Sequence, residues 1–149
     1  MTTIFIDTNI LYNILHKTSR TDEALDLLEE NPGDYVIDMA VHNEIIYTST
    51  MHYLERKYSI RGAYSAREWI KKHGYPVEVV NAIRDLLNKL NIKILSNIYT
   101  ESELYDALVH FRLSPSDAII ALTCRHYGIN TILTFDEDFK RVPWLKVIP

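Results

Sequence analysis

One cysteine, four glycines and five prolines in 149 residues are few. A single thiol, Cys124, excludes an intramolecular disulfide, and without a C-x-x-C there is no thiolate zinc or dithiol redox site; a reducing compartment fits. No uninterrupted apolar run approaches the ~20 residues that a spanning helix needs. Nor is there a basic residue before Asp7, and that aspartate interrupts the apolar run from Ile4, so no signal peptide is expected and the chain reads as cytoplasmic, without a membrane partner. Positive charge is also short: 16 Lys and Arg face 20 Asp and Glu, a net charge of −4, which excludes a globally basic nucleic-acid binder. G-x-G-x-x-G, Walker-loop, G-x-S-x-G and H-E-x-x-H patterns are absent, and the six histidines are scattered without ligand spacing. Dinucleotide, nucleotide-triphosphate, α/β-hydrolase and zincin chemistries drop out.

What remains is ordinary globular composition, 47% hydrophobic and 24% charged, at a length that predicts a single domain over 1–149. Short β-branched runs at Thr3–Ile6, Tyr35–Ile37, Ile92–Leu95 and Asn130–Phe135, with another at Trp144–Ile148, read as strands. Between them lie helical patterns: one opened by Thr21-Asp22-Glu23, another over Ala40–Tyr58, and a third bracketed by Gly62 and Gly74. Pro76 sits where the next helix should begin, and Thr100-Glu101-Ser102-Glu103 and Ser114-Pro115-Ser116-Asp117 have capping-box spacing. Strands separated by helices predict a three-layer α/β/α architecture around a mostly parallel sheet.

In such sheets ligands collect at the carboxyl ends of the strands. Asp7 follows the first strand and Asp136 the fourth, while Glu44 lies early in a helix and Asp117 at a helix start. Two carboxylates 4 Å apart repel by about 4 kcal/mol at an effective dielectric near 20, so four together must share protons or hold a cation. An all-oxygen set favours Mg²⁺ or Mn²⁺. Each acid also has a purely structural role open to it: Asp117 as the third residue of a capping box, Asp7 and Asp136 as turn formers, Glu44 as a solvated helix acid. Asp38 could replace Glu44 if the helix starts elsewhere, Asp106 and Glu137 are weaker candidates, and Asp138 reads as part of the turn before Phe139.

Ile4-Phe5-Ile6-Asp7-Thr8-Asn9-Ile10-Leu11 resembles the opening motif of PIN-domain nucleases. Glu44, Ser116-Asp117-Ala118 and Thr134-Phe135-Asp136-Glu137-Asp138-Phe139 match that family's later motifs in order. Within it the chain looks most like the VapC-type toxin ribonucleases of toxin–antitoxin pairs. The resemblance implies a metal-dependent endoribonuclease with Asp7, Glu44, Asp117 and Asp136 as the acidic quartet; Asp7, Asp117 and Asp136 would hold Mg²⁺ or Mn²⁺, and Asn9 and Thr134 would support them. It also implies RNA as substrate, an antitoxin-like protein encoded nearby, and a homodimer.

The segment at about 51–76 is long and aromatic-rich for the minimal toxin pattern and is expected to be a helical insertion. From Arg56 to Tyr75 it carries Arg56, Lys57, Arg61, Arg67, Lys71 and Lys72 against the single acid Glu68, interleaved with Tyr58, Tyr64, Trp69 and Tyr75. Such cations could meet phosphates while the rings stack on unpaired bases; alternatively the rings pack inward and the cations are solvated. Three other functions remain: a catalytically silent PIN-like module that binds RNA or protein, a Mg-binding receiver-like domain, which expects adjacent acids where Thr8 follows Asp7, and a dehalogenase-type phosphatase, which expects an aspartate where Asn9 stands.

Overall fold

The structure, a computed structural model, describes every residue from Met1 to Pro149. Five strands, β1 (Thr3–Ile6), β2 (Asp34–Asp38), β3 (Lys93–Leu95), β4 (Thr131–Leu133) and β5 (Lys146–Ile148), form one sheet in the order β3-β2-β1-β4-β5. Every pairing is parallel, and Phe5 sits in register between Val36 and Ile132. Consecutive Ile4, Phe5 and Ile6 are all buried, so both faces of the central strand are covered. The succession of strands reverses direction at β1, which makes the ends of β1 and β4 the crevice where ligands bind in such sheets. A receiver domain has the order 2-1-3-4-5, so the receiver-like alternative is excluded by topology.

The helices are α1 (Thr8–Leu15), α2 (Thr21–Glu30), α3 (Met39–Tyr58), α4 (Ala63–His73), α5 (Val77–Lys89), α6 (Glu101–His110) and α7 (Pro115–His126), with a 3₁₀ turn over Glu137–Arg141. The sequence pattern gave no helix at α1, because strand and helix meet with no intervening turn residue. Asp7 ends the strand and caps the helix at once, its Oδ1 accepting from the Thr8 N–H at 2.8 Å. Asp38 does the same between β2 and α3, accepting from the Val41 N–H at 2.9 Å. Pro76 proves to be the cap of α5 rather than its first residue.

Helix α7 is buried nearly all round, with Ala118, Ile120, Ala121, Leu122, Thr123 and Cys124 out of solvent. It belongs to one core of 29 residues joining Ile6, Ile10, Ile37, Ile45, Ile120 and Ile132. Gly33 feeds β2 so close to β1 that a Cβ there would lie 2.5 Å from the Thr2 carbonyl oxygen; only glycine permits that approach. No helix is long and apolar enough to cross a membrane.

Candidate active site

At the carboxyl end of β1, Asp7 is buried and its carboxylate is held from three sides. Besides the Thr8 N–H, its Oδ2 accepts from the Thr134 hydroxyl at 2.7 Å and from the Asn9 amide at 3.3 Å. Thr134, just past β4, in turn accepts from Asn9 Nδ2 at 3.2 Å and from the Asp136 N–H at 3.0 Å. Asn9 Oδ1 closes the ring by accepting from the Phe135 N–H at 3.1 Å. Two strand ends 127 residues apart in sequence are thus tied by one hydroxyl and one amide. Burial pushes the Asp7 carboxyl up from 3.8 to about 7, against the pull of its Thr134 and Thr8 bonds and with further upward pressure from Asp117 and Glu44.

Asp117 stands in the first turn of α7, its N–H donating to Ser114 Oγ at 3.3 Å. The return bond that would complete a capping box forms at Thr100 and Glu103 on α6 but not here. The Asp117 carboxylate instead faces other acids: burial first, then Asp136, Glu44 and Asp138, raise it to about 6. Oxygens of Asp117, Asp136 and Asp138 lie within 4.8 Å of one another. Glu44 approaches from α3 and accepts from Ser116 Oγ at 3.4 Å.

The structure therefore brings Asp7, Glu44, Asp117 and Asp136 to one edge, with Asn9 and Thr134 beneath them. Asp38 does not take Glu44's place. It is fully buried under α3, where burial raises it to about 6. The sequence reading of Asp138 as a turn residue missed its contribution to the carboxylate group. The turn reverses the chain two residues after Asp136, and Arg141 pins Asp138 at 2.9 Å. Arg20 was missed as well: its guanidinium, paired with Glu23, lies 3.5 Å from the centre of the ring of Phe135, the residue before Asp136. No spacing could show that, because residues 20 and 135 meet only through the fold. The donor set is all oxygen, Asp7 and Asp117 hold protons more tightly than in water, and the one cation at the group of three, Arg141, meets Asp138 through a single nitrogen; these properties fit a hard divalent cation.

Between α3 and α4 the six expected cations are all exposed. Arg61 pairs with Glu55 at 3.4 Å and Lys71 with Glu68 at 3.1 Å. Inward packing fails for three of the four rings, since Tyr58, Tyr64 and Tyr75 are 46%, 73% and 50% exposed. Trp69 is half-buried between Tyr58 and His73.

A family model described as PIN domain matches residues 4–145. The chain belongs to the PIN domain family. Among curated relatives, this PIN domain is 27% identical over 147 residues to Ribonuclease VapC6 of Methanocaldococcus jannaschii, covering 97% of this chain and 95% of that one. It is 28% identical over 156 residues to Ribonuclease VapC2 of the same organism, covering 97% and 92%. Solved structures share the fold: Mycobacterium tuberculosis VapC20, a sarcin-ricin loop cleaving toxin, at TM-score 0.61 and 22% identity over 98% of this chain and 99% of that one. Rickettsia felis VapBC2 bound to a promoter DNA fragment gives 0.62 at 18% identity over 99% and 98%.

Proposed function

We propose that this PIN domain is a metal-dependent endoribonuclease and the toxin of a toxin–antitoxin pair, with Asp7, Glu44, Asp117 and Asp136 as its acids. The observation that carries this reading is the convergence of those four carboxylates from β1, α3, α7 and the end of β4, with two of them raised to about 7 and about 6. Mg²⁺ or Mn²⁺, held by Asp7, Asp117 and Asp136, would supply the charge that activates water and offsets the negative charge growing on a phosphodiester. Thr134 and Asn9 fix the Asp7 carboxylate so that it need not reorganise during the reaction. Glu44, steadied by Ser116, is placed to take the proton of the attacking water. The water oxygen bonds to phosphorus as the bond to the 3′ oxygen breaks and that oxygen takes a proton from solvent, leaving 5′-phosphate and 3′-hydroxyl ends. Arg20, whose Nε and one terminal nitrogen are held by Glu23 at 3.1 and 3.2 Å, keeps its other terminal nitrogen for a neighbouring phosphate oxygen.

RNA as substrate is supported by the VapC relatives, both named ribonucleases. A protein antitoxin is supported by the toxin–antitoxin complex from Klebsiella pneumoniae that shares this fold. An acid cluster is a ready seat for an arginine fork, which neutralises several carboxylate oxygens without a metal. We place the protein in the cytoplasm as a homodimer, with 1–149 as one nuclease domain and the segment at about 51–76 as its helical insertion, whose Arg56, Lys57, Arg61, Arg67, Lys71 and Lys72 meet RNA. Incubating purified protein with total RNA and Mg²⁺ or Mn²⁺, then mapping the cut ends, tests the reading. Discrete 5′-phosphate ends that vanish with chelator support it; binding without cutting assigns the silent module instead. Co-expression with the neighbouring gene tests the toxin reading separately, by copurification and loss of activity.

A further inference from the structure

A groove of about 440 Å³ runs from the acid edge along α1 and α3, within the ~300–1,000 Å³ span of small-molecule sites. It shares Asn9 and Glu44 with the acid site, and its walls include Tyr12, Tyr47 and Glu55. At its far end Ile60 and Arg61 also line a second concavity of about 680 Å³ containing Trp69, Lys72 and His73. The two hollows share that edge, and their chemistry differs. In the first, Glu44 and Glu55 outnumber Arg61, which meets Glu55 Oε1 at 3.4 Å and leaves Oε2 open, so the groove disfavours phosphate; in the second, Arg61 and Lys72 outnumber Glu68 and attract it. Tyr47 is 51% exposed and offers a ring face at the first groove. Tyr12 Oη meets His52 Nδ1 at 2.9 Å, which leaves His52 Nε2 for another partner.

We infer that the α1–α3 groove is a subsite for one unpaired adenine or cytosine next to the phosphate held at the acid edge, and that Arg61 passes the strand on to the Trp69 concavity. A neutral heterocycle tolerates carboxylate walls that a phosphate does not. Adenine and cytosine turn an exocyclic amine toward Glu55, a donor to an acceptor; uracil turns a carbonyl, and two acceptors repel. Tyr47 stacks on the base, and a base held this way must be out of a duplex, so the substrate is single-stranded or looped RNA.

This inference deepens the nuclease reading and rests on it for the phosphate's position, but its test needs no cleavage. Fluorescein-labelled oligo(rA), oligo(rC) and oligo(rU) are titrated with the full chain in chelator. The expected result is about tenfold tighter binding of oligo(rA) and oligo(rC) than of oligo(rU). Tyr47→Ala, which loses the stacking face, weakens all three by about threefold or more, whereas Glu55→Gln, whose amide can donate to the uracil carbonyl, lowers the preference itself by about threefold or more. No binding, equal affinity for the three, unchanged affinities in Tyr47→Ala, or a preference that survives Glu55→Gln overturns the subsite. Failure of the nuclease reading shows elsewhere, as intact RNA in the presence of metal, and leaves the binding result standing.

Discussion

Asp7 and Tyr64 mark two contrasting surfaces, and the proposed ribonuclease would use them differently. Asp7 is 5% exposed and its carboxylate accepts three hydrogen bonds, whereas Tyr64, on α4, is 73% exposed. The acid edge is assembled from distant strand ends and locked by Thr134 and Asn9. The α3–α4 region is local in sequence, and its ion pairs are surface contacts worth little each. The difference teaches where precision is needed: a reacting phosphate must be held to fractions of an ångström, while capture of a polyanion needs only charge and ring faces within reach.

The largest break is expected at the acids. Asp117→Asn and Asp7→Asn should each lower cleavage by about 10²-fold or more, because losing a cation's stabilisation forfeits several kcal/mol at 1.36 kcal/mol per tenfold. Circular dichroism should show the fold unchanged; full activity in either variant contradicts the assignment. Next comes Thr134→Val, which removes the hydroxyl serving Asp7, Asn9 and the Asp136 N–H. Metal affinity should fall about 10–100-fold, with recovery in Thr134→Ser, as read by Mn²⁺ titration.

Acid crowding also predicts a pH effect on stability. Asp7, Asp38 and Asp117 bind protons more tightly folded than unfolded, rising from 3.8 to about 7, about 6 and about 6. Without divalent ion, stability is therefore fullest below about pH 4 as far as these groups are concerned and declines as pH rises toward 7. Asp117→Asn should raise the metal-free Tm at neutral pH by on the order of 2–4 °C, the shift that about 1 kcal/mol makes in a domain of this size. Calorimetry at pH 5 and pH 7.5 checks this, and a larger gain at the lower pH would contradict it. The smallest effect belongs to the exposed region: alanine at Arg61, Arg67 and Lys71 should flatten the log–log salt dependence of RNA binding by about 0.7 per lost contact. An unchanged slope would mark these residues as a solvated helix face.

The α/β/α fold was legible because strands and long helices announce themselves by period and caps, as at Thr3–Ile6 and at Thr100 with Glu103. Helix α1 was not, since Asp7 looks like a strand terminus until the Thr8 N–H is seen on its side chain. Arg20 reaches Phe135 through tertiary approach alone, and Asp138, local to Asp136 through the turn, meets Asp117 only through the fold. The exposure of Tyr58, Tyr64 and Tyr75 was equally hidden, because an aromatic at helical spacing packs inward only if another element covers it. His16 and His52, scattered in sequence, come within 4.2 Å between ring centres where α1 meets α3.

The most direct test of the acid edge is calorimetric titration of Mn²⁺ at pH 6.5 and pH 8, in buffers of differing ionisation enthalpy. A cation seated among carboxylates that hold protons at about 7 and about 6 must displace them. Binding should release protons at pH 6.5, release fewer at pH 8, and weaken sharply in Asp117→Asn. Binding without proton release at pH 6.5, or unchanged in Asp117→Asn, would contradict the account.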